Sequence, residues 1–349
     1  MKKGRIVVLD QVNNKSAAAL LVNGQLHDLF IEADTAAPQP EAIYNARAGL
    51  PMKGQNGLIL NLGNGQKGFL RNAKGIPQGT KMTVQVMTHA EIGKAAPVVN
   101  KLIFKSRYCI VTPEAPGLNV ARSIKDDEER ERLLEIVHDC IDQRDANYGL
   151  IIRSSAMDVD GDAISDDINA MYDLADDVMA QSNGEPGLIM PAPSAEMRAW
   201  RDWVNPDPDE VINQTGSFED MGVWDHIERL KRPRVSLPDG ASMIIEPTSA
   251  LVAVDVNTGS DFSLSAGLKA NLATAKELPK QLALRGLGGQ IVIDFAPSPK
   301  KDRRTIESAL NAAFRKGSID TIVVGWTTLG NFELQRKRER IPLTELLDD

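Results

Sequence analysis

The chain of 349 residues is poor in cysteine and histidine, and each scarcity removes a class of protein. Its two cysteines, Cys109 and Cys140, stand far apart, with no CxxC pair and no Cys/His cluster. No structural zinc and no disulfide framework are therefore expected, which suits a reducing, cytoplasmic setting. The four histidines are scattered, so no His-based acid–base pair stands out. Apolar runs are short. The one after the basic opening, Ile6 to Leu9, is too brief for a signal peptide, and none approaches a membrane span. Positive charge is also in deficit. A net charge of −8 excludes a uniformly basic nucleic-acid binder, so any polyanion site must be a local patch.

What is present suits a globular protein of two or three domains, with a hydrophobic share of 42% that is ample for packed cores. Residues 5–32 read as strands, with Asn23-Gly24 as a hairpin signal. After a proline-rich break at 35–42, short strands with Gly-rich turns suggest a small barrel from about 40 to 98. Residues 121–148 turn helical, with Ser123 as N-cap and Leu133, Leu134, Val137 and Ile141 on one face. A strand near 149–154 and a helix near 165–181 follow. Beyond a connection at 183–210, which holds a short helix, the pattern becomes regular. FEDMGVWDHIERLKRP predicts a helix, and residues 234–257 predict three strands. A helix at 263–285 should be kinked or split by Pro279 and capped by Gly286. Strand 290–295, helix 303–316, strand 319–325 and helix 331–340 complete an α/β domain.

Two segments of that domain carry chemistry. ALVAVDVNTGS (250–260) and GGQIVIDFAP (288–297) each place one aspartate, Asp255 and Asp294, at the end of an apolar strand. A helical crossover between them makes the strands parallel neighbours, with both aspartates at the carboxyl edge where open α/β sheets hold ligands. Two carboxylates together call for a cation, and hard oxygen ligands suit Mg2+. Asn257, two residues on, shares the face of Asp255 and is placed to orient it. A turn cap explains each aspartate equally well at this point.

IEPTSALVAVDVNTG followed by LALRGLGGQIVIDF resembles the core of the ribonuclease E/G family of endoribonucleases. So do FEDMGVWDHIERLKRPRVSLPDGA before it, LGNFELQRKRER after it, and the opening IVVLDQVNNKSAAALLVNGQLHDLFIE. The resemblance is strong across about 217–340, moderate across 1–70 and weak between 100 and 215. It implies α/β plus a small β-barrel: RNase H-like and DNase I-like α/β subdomains with an inserted OB-type barrel. The implied boundaries are 1–38 and 183–236 (RNase H-like), 39–98 (RNA-binding barrel), 99–182 (5′-sensor-like) and 237–349 (DNase I-like, catalytic). It further implies an Mg2+-dependent endoribonuclease that cuts single-stranded RNA and leaves 5′-phosphate ends. Asp255 and Asp294 would hold the metal, and Asn257 would support them. The alternative is a non-catalytic RNA-binding relative.

Other positions carry over from the same resemblance. Arg153 and Ser154 in GLIIRSS match the family's 5′-monophosphate-binding Arg and Thr. Phe69 in GQKGFL matches an aromatic that stacks on a base, and Lys94 matches an RNA-contacting lysine. From charge alone, the clusters Lys300, Lys301, Arg303, Arg304 and Arg336, Lys337, Arg338, Arg340 read as phosphate contacts beside the aspartates. The chain departs from the family at DFAP, where Pro297 replaces an acid, and at Ala273, where the family carries Glu. It has no zinc-link cysteines, so a monomer, or a dimer without that link, is expected. GNGQKG (63–68) lacks the helix of a dinucleotide site and reads as a barrel turn. DVDGD (158–162) reads as an acidic turn rather than a calcium loop.

Overall fold

The computed structural model describes residues 3–347 except 34–36, 53, 55, 91, 92, 142, 143, 145, 146, 262, 264 and 318. Part of the proline-rich break at 35–42 thus lies outside the described residues. The chain forms two compact units, residues 1–34 with 209–349, and residues 35–208. Among the described residues no helix is long and apolar enough to cross a membrane.

The first unit begins with an antiparallel meander, β1 (Arg5–Val12), β2 (Lys15–Val22) and β3 (Gln25–Ile31). Asn23 and Gly24 both have positive φ, 51° and 73°, the geometry a two-residue hairpin needs.

The second unit holds the barrel. Strands β4 (Ile43–Met52), β5 (Gly57–Gly63), β6 (Gln66–Arg71), β7 (Lys81–Val86) and β8 (Ala96–Val99) form one sheet that pairing of β4 with β7 closes. Leu58, Leu60, Leu62, Leu70 and Val84 fill its interior, consistent with the OB-type barrel expected here. The GNGQKG segment is the β5–β6 turn, with Gly63, Asn64 and Gly65 all at positive φ.

Next come β9 (Phe104–Lys105), β10 (Cys109–Thr112), β11 (Gly117–Val120), α1 (Asp127–Ile141), β12 (Gly149–Ile152) and α2 (Gly161–Ala180). The four strands form a sheet in the order β11-β12-β10-β9. Leu133 and Val137 of α1 join Ile164, Ile168 and Tyr172 of α2 in its core. Helix α1 starts later than predicted. Ile124 is buried in that core, and the cap is Asp126, whose carboxylate accepts from the Glu129 N–H at 2.9 Å, not Ser123. In DVDGD, Asp160 caps α2 by accepting from Asp162 and Ala163. β13 (Gly187–Met190) pairs with β4 of the barrel, and α3 (Ala195–Asp202) follows, capped by Ser194.

The chain then returns to the first unit. β14 (Glu210–Asn213) pairs parallel with β1. The helix predicted for 218–233 is two, α4 (Ser217–Asp220) and α5 (Val223–Leu230), because Gly222 turns left-handed at φ 67° between them. β15 (Arg234–Ser236), β16 (Ser242–Pro247) and β17 (Val252–Asn257) are the three predicted strands. α6 (Ala266–Leu284) crosses over to β18 (Gly289–Asp294), which α7 (Arg303–Phe314), β19 (Thr321–Trp326), β20 (Phe332–Arg336) and α8 (Leu343–Leu347) follow. The sheet order is β15-β16-β17-β18-β20-β19.

Two expectations for this sheet fail. α6 is not split at Pro279. Its buried stripe, with Ala270, Thr274, Ala275, Leu278 and Leu282, continues on both sides of the proline, so packing outweighs one lost backbone bond. Its end follows expectation: Gly286, at φ 66°, donates to Ala283 while Leu287 donates to Leu282, the paired bonds of a left-handed cap. Residues 331–340 are not a helix. Phe332, Leu334 and Arg336 alternate as buried residues of β20, a central strand between β18 and β19. Tertiary pairing overrides the helical propensity of Leu, Gln and Arg there.

Candidate functional site

Strands β17 and β18 run parallel, with Asp255 directly opposite Asp294. Val252, Val254 and Val256 of β17 and Ile291 and Ile293 of β18 face the α6–α7 side and are buried. Period-two alternation therefore turns both aspartates to the opposite face. Both are exposed, because the helices cover only one face of the sheet. Asn257 donates from Nδ2 to Oδ2 of Asp255 at 2.6 Å and so fixes one carboxylate. Among the described residues no group of three or more His, Cys, Asp or Glu side chains gathers here or elsewhere. The site is a carboxylate pair with one amide support.

The loop after Asp294 is anchored from below. Asn271 of α6, fully buried, donates to the Ala296 carbonyl at 2.9 Å and accepts from the Ala296 N–H at 3.0 Å. A Cβ on Gly267 would collide with the Pro297 carbonyl, so glycine allows α6 to approach the loop. These contacts explain Ala296-Pro297 structurally. The segment is a seated turn, with Ala296 only 3% exposed. Sequence reasoning missed Asn271, whose partner lies 25 residues away.

The two basic clusters part company. Lys300 and Lys301 are exposed in the connection from Asp294 to α7, and Arg304 is exposed at the helix start. Arg303 is half-buried, its guanidinium 4.6 Å from the centre of the Trp326 ring. The second cluster does not stand beside the aspartates. Arg336 pairs with Gly289, the first residue of β18, so it lies about 16 Å along the strand from Asp294. It is 3% exposed, donates to Thr321 Oγ1 at 2.9 Å and stacks on Phe314. Burial pushes its pKa down to about 10. A side chain so enclosed is a core element, and its expected phosphate contact is withdrawn. Lys337 pairs with Glu339 at 3.2 Å. Arg338 is exposed but lies across Gly289, at the same far edge. Arg340 is bidentate to Asp28 at 2.6 and 3.1 Å and covers Phe30.

In the second unit, Phe69 is half-buried on the outer wall of the barrel, outside its apolar core, and its ring covers Gly57. Lys67 and Arg71 flank it on the exposed face. Lys94 is exposed two residues before β8, which pairs with the strand that bears Phe69. Arg153 is engaged. It pairs with Asp202 at 3.2 Å and donates to the Ser106 carbonyl, while Ser154 is exposed beside it. Asp202 also receives Arg201, which is 5% exposed and bidentate to Glu41 at 2.7 and 3.0 Å. Burial opposes these charges, but the Arg201 guanidinium outweighs it and holds the Glu41 and Asp202 carboxyls below their usual range. Cys109 is buried, which pushes its thiol up to about 12 and leaves it inert.

A model of the ribonuclease E/G family matches residues 104–217 and 213–339, which include both aspartates and Asn257. The chain belongs to the ribonuclease E/G family. Among its relatives, ribonuclease E of Nostoc sp. is 29% identical over 309 residues, 77% of this chain and 44% of that protein. Ribonuclease E of Synechocystis sp. is 28% identical over 386 residues, covering 94% of this chain and 56% of the relative. Ribonuclease G of Escherichia coli (strain K12) is 25% identical over 403 residues, covering 96% and 80%. The chain thus spans about half the length of the two ribonuclease E proteins.

Proposed function

We propose that this family member is an Mg2+-dependent endoribonuclease that hydrolyses single-stranded RNA in RNA processing or decay and leaves 5′-phosphate ends. The observation that carries the reading is the in-register juxtaposition of Asp255 and Asp294, with Asn257 bound to the first. Two exposed, adjacent carboxylates fit a hard divalent ion that takes one or two protein oxygens and keeps its waters. Asp255 and Asp294 would hold it. When bound, it supplies positive charge against the charge that develops on the phosphate and helps activate the attacking water.

The chain's own residues have separable tasks. Asn257 keeps Asp255 from rotating, and Asn271 seats the turn that follows Asp294. Lys300 and Lys301 offer phosphate contacts at the aspartate edge, and Phe69 with Lys67, Arg71 and Lys94 offers a stacking and backbone-binding wall on the barrel. We assign residues 1–38 and 183–236 to the RNase H-like part, 39–98 to the RNA-binding barrel, 99–182 to the sensor-like region and 237–349 to the DNase I-like part. A 5′-phosphate arriving at Arg153 would have to displace Asp202, so cleavage should show little preference for 5′-monophosphorylated RNA.

The lack of a third acidic side chain among the described residues favours a second reading, an RNA-binding relative without cleavage. One experiment separates the two. Single-stranded RNA is incubated with the wild type, Asp255→Asn and Asp294→Asn, with Mg2+ or with a chelator. Cleavage by the wild type with Mg2+ alone is expected. Cleavage that survives either substitution or chelation sinks the mechanism, and binding without cleavage by the wild type establishes the second reading.

A further inference from the structure

Most arginines considered above are committed to a partner, whereas Arg303 is not. No ion pair or hydrogen bond to its guanidinium is found among the described residues; it lies over the face of Trp326, with Nη2 beside Gly330. That indole is itself fixed. Its ring meets Phe332 edge-on at 5.1 Å and 83° and leans on Phe295 at 5.5 Å, while Phe295 and Phe332 meet at 6.0 Å. Phe295 follows Asp294 directly, so the same aromatic cluster that supports Arg303 adjoins a site carboxylate. β19 and β18 both run antiparallel to β20, so Trp326 and Asp294 end their strands at the same edge of the sheet.

We propose that Arg303, held over the ring of Trp326, is a phosphate-binding subsite for the RNA backbone, with Trp326 as its positioning residue. The inference rests on the nuclease reading above and adds a subsite to it. A guanidinium held over a ring spends none of its N–H groups on that contact, and those groups match two phosphate oxygens at once. Stacking removes rotamer freedom before the anion arrives, so less entropy is lost on binding. The aromatic cluster packs on the helical side of the sheet, whereas Asp255 and Asp294 face away from the helices. Two strand spacings, about 10 Å, also separate the ends of β18 and β19. The phosphate bound by Arg303 is therefore one that flanks the bond cut, not the scissile one. Its contribution should appear in RNA affinity and KM rather than in kcat.

The test uses the full chain and a short single-stranded RNA, with a chelator to prevent cleavage. Affinity is measured against salt for the wild type, Arg303→Gln, Trp326→Leu, Trp326→Phe and the Arg303→Gln/Trp326→Leu double variant. Arg303→Gln should weaken binding about tenfold and flatten the log–log salt slope by about 0.7, the value of one phosphate contact on a single strand. Trp326→Leu should reproduce much of that loss, and Trp326→Phe should restore it. The double variant should bind no worse than Arg303→Gln alone, because the two act as one unit. With Mg2+, Arg303→Gln should raise KM with little change in kcat. Circular dichroism identifies a variant that fails to fold, and Arg303→Gln, at a half-buried position, then carries the decision alone. If Arg303→Gln matches the wild type in affinity and slope, or if the two losses simply add, the subsite is wrong while the nuclease reading stands. If the wild type does not bind RNA, the nuclease reading falls and takes the subsite with it.

Discussion

Replacing either aspartate of the pair should move activity and stability in opposite directions. Asp255 and Asp294 sit on neighbouring strands about 4.8 Å apart, with their charges on one exposed face. Without a cation they repel, so Asp294→Asn should raise the urea midpoint of the metal-free protein slightly while lowering Mg2+-dependent cleavage about 100-fold or more. An activity loss with an equal loss of stability would assign Asp294 a structural role instead. His89 gives a separate pH signature. Burial, with help from Arg198, holds its pKa down to about 4. Its neutral form costs nothing above the ordinary value near 6.5. As pH falls from there towards 4, the unfolded chain takes up the proton first and stability declines. His89→Asn should flatten the urea midpoint between pH 6.5 and 4. A decline unchanged in that window would exclude His89 as its source. At this scale the sequence revealed the two carboxylates and Asn257, because each follows an apolar strand at a fixed spacing. It hid Trp326 and Asn271, whose partners Arg303 and Ala296 lie over 20 residues away and meet them only through the sheet topology.

Elements show the same division between local and non-local signals. The meander, the barrel and strands β15 to β17 follow from turn residues and alternation that a short window contains. β20 does not, since FELQR has helix-forming residues and becomes a strand only between β18 and β19. That error also misplaced a basic cluster: a strand antiparallel to β18 carries Arg336 to the far edge, away from Asp294. The approach of α6 to the loop after Asp294 is a further non-local feature, and it is testable. Gly267→Ala must push the Pro297 carbonyl away, so cleavage should fall more steeply than stability. Unchanged cleavage with a stable fold would show that the loop does not position Asp294. In the second unit, α3 is tied to Glu41 and Arg153 through Arg201 and Asp202. Arg201→Ala removes the buried partner shared by two carboxylates and leaves Asp202 with Arg153 and Glu41 with Lys105, and a loss of about 2 kcal/mol in urea unfolding is expected. A loss below about 1 kcal/mol would class the network with surface pairs.

For the whole molecule the governing quantity is charge. A chain of net charge −8 repels RNA at long range, so binding must come from a few local cations on an otherwise unfavourable surface. On the proposed function, Lys67, Arg71, Lys94, Lys300, Lys301 and Arg303 are the cations offered to phosphate. With about six contacts, the slope of log affinity against log salt should be about −4, and affinity should fall about 300-fold between 50 and 200 mM salt. A slope near zero would mean that stacking on groups such as Phe69 carries the binding. The same measurement distinguishes binding arginines from core arginines. Arg336→Met replaces a buried guanidinium, whose Nε lacks a partner among the described residues, by an apolar side chain of similar reach, so it should leave the salt slope unchanged, with any effect confined to stability. If Arg336→Met flattened the slope as Arg303→Gln is expected to, the far edge of the sheet would also contact RNA, and the division of the two basic clusters drawn from the β18–β20 register would be wrong.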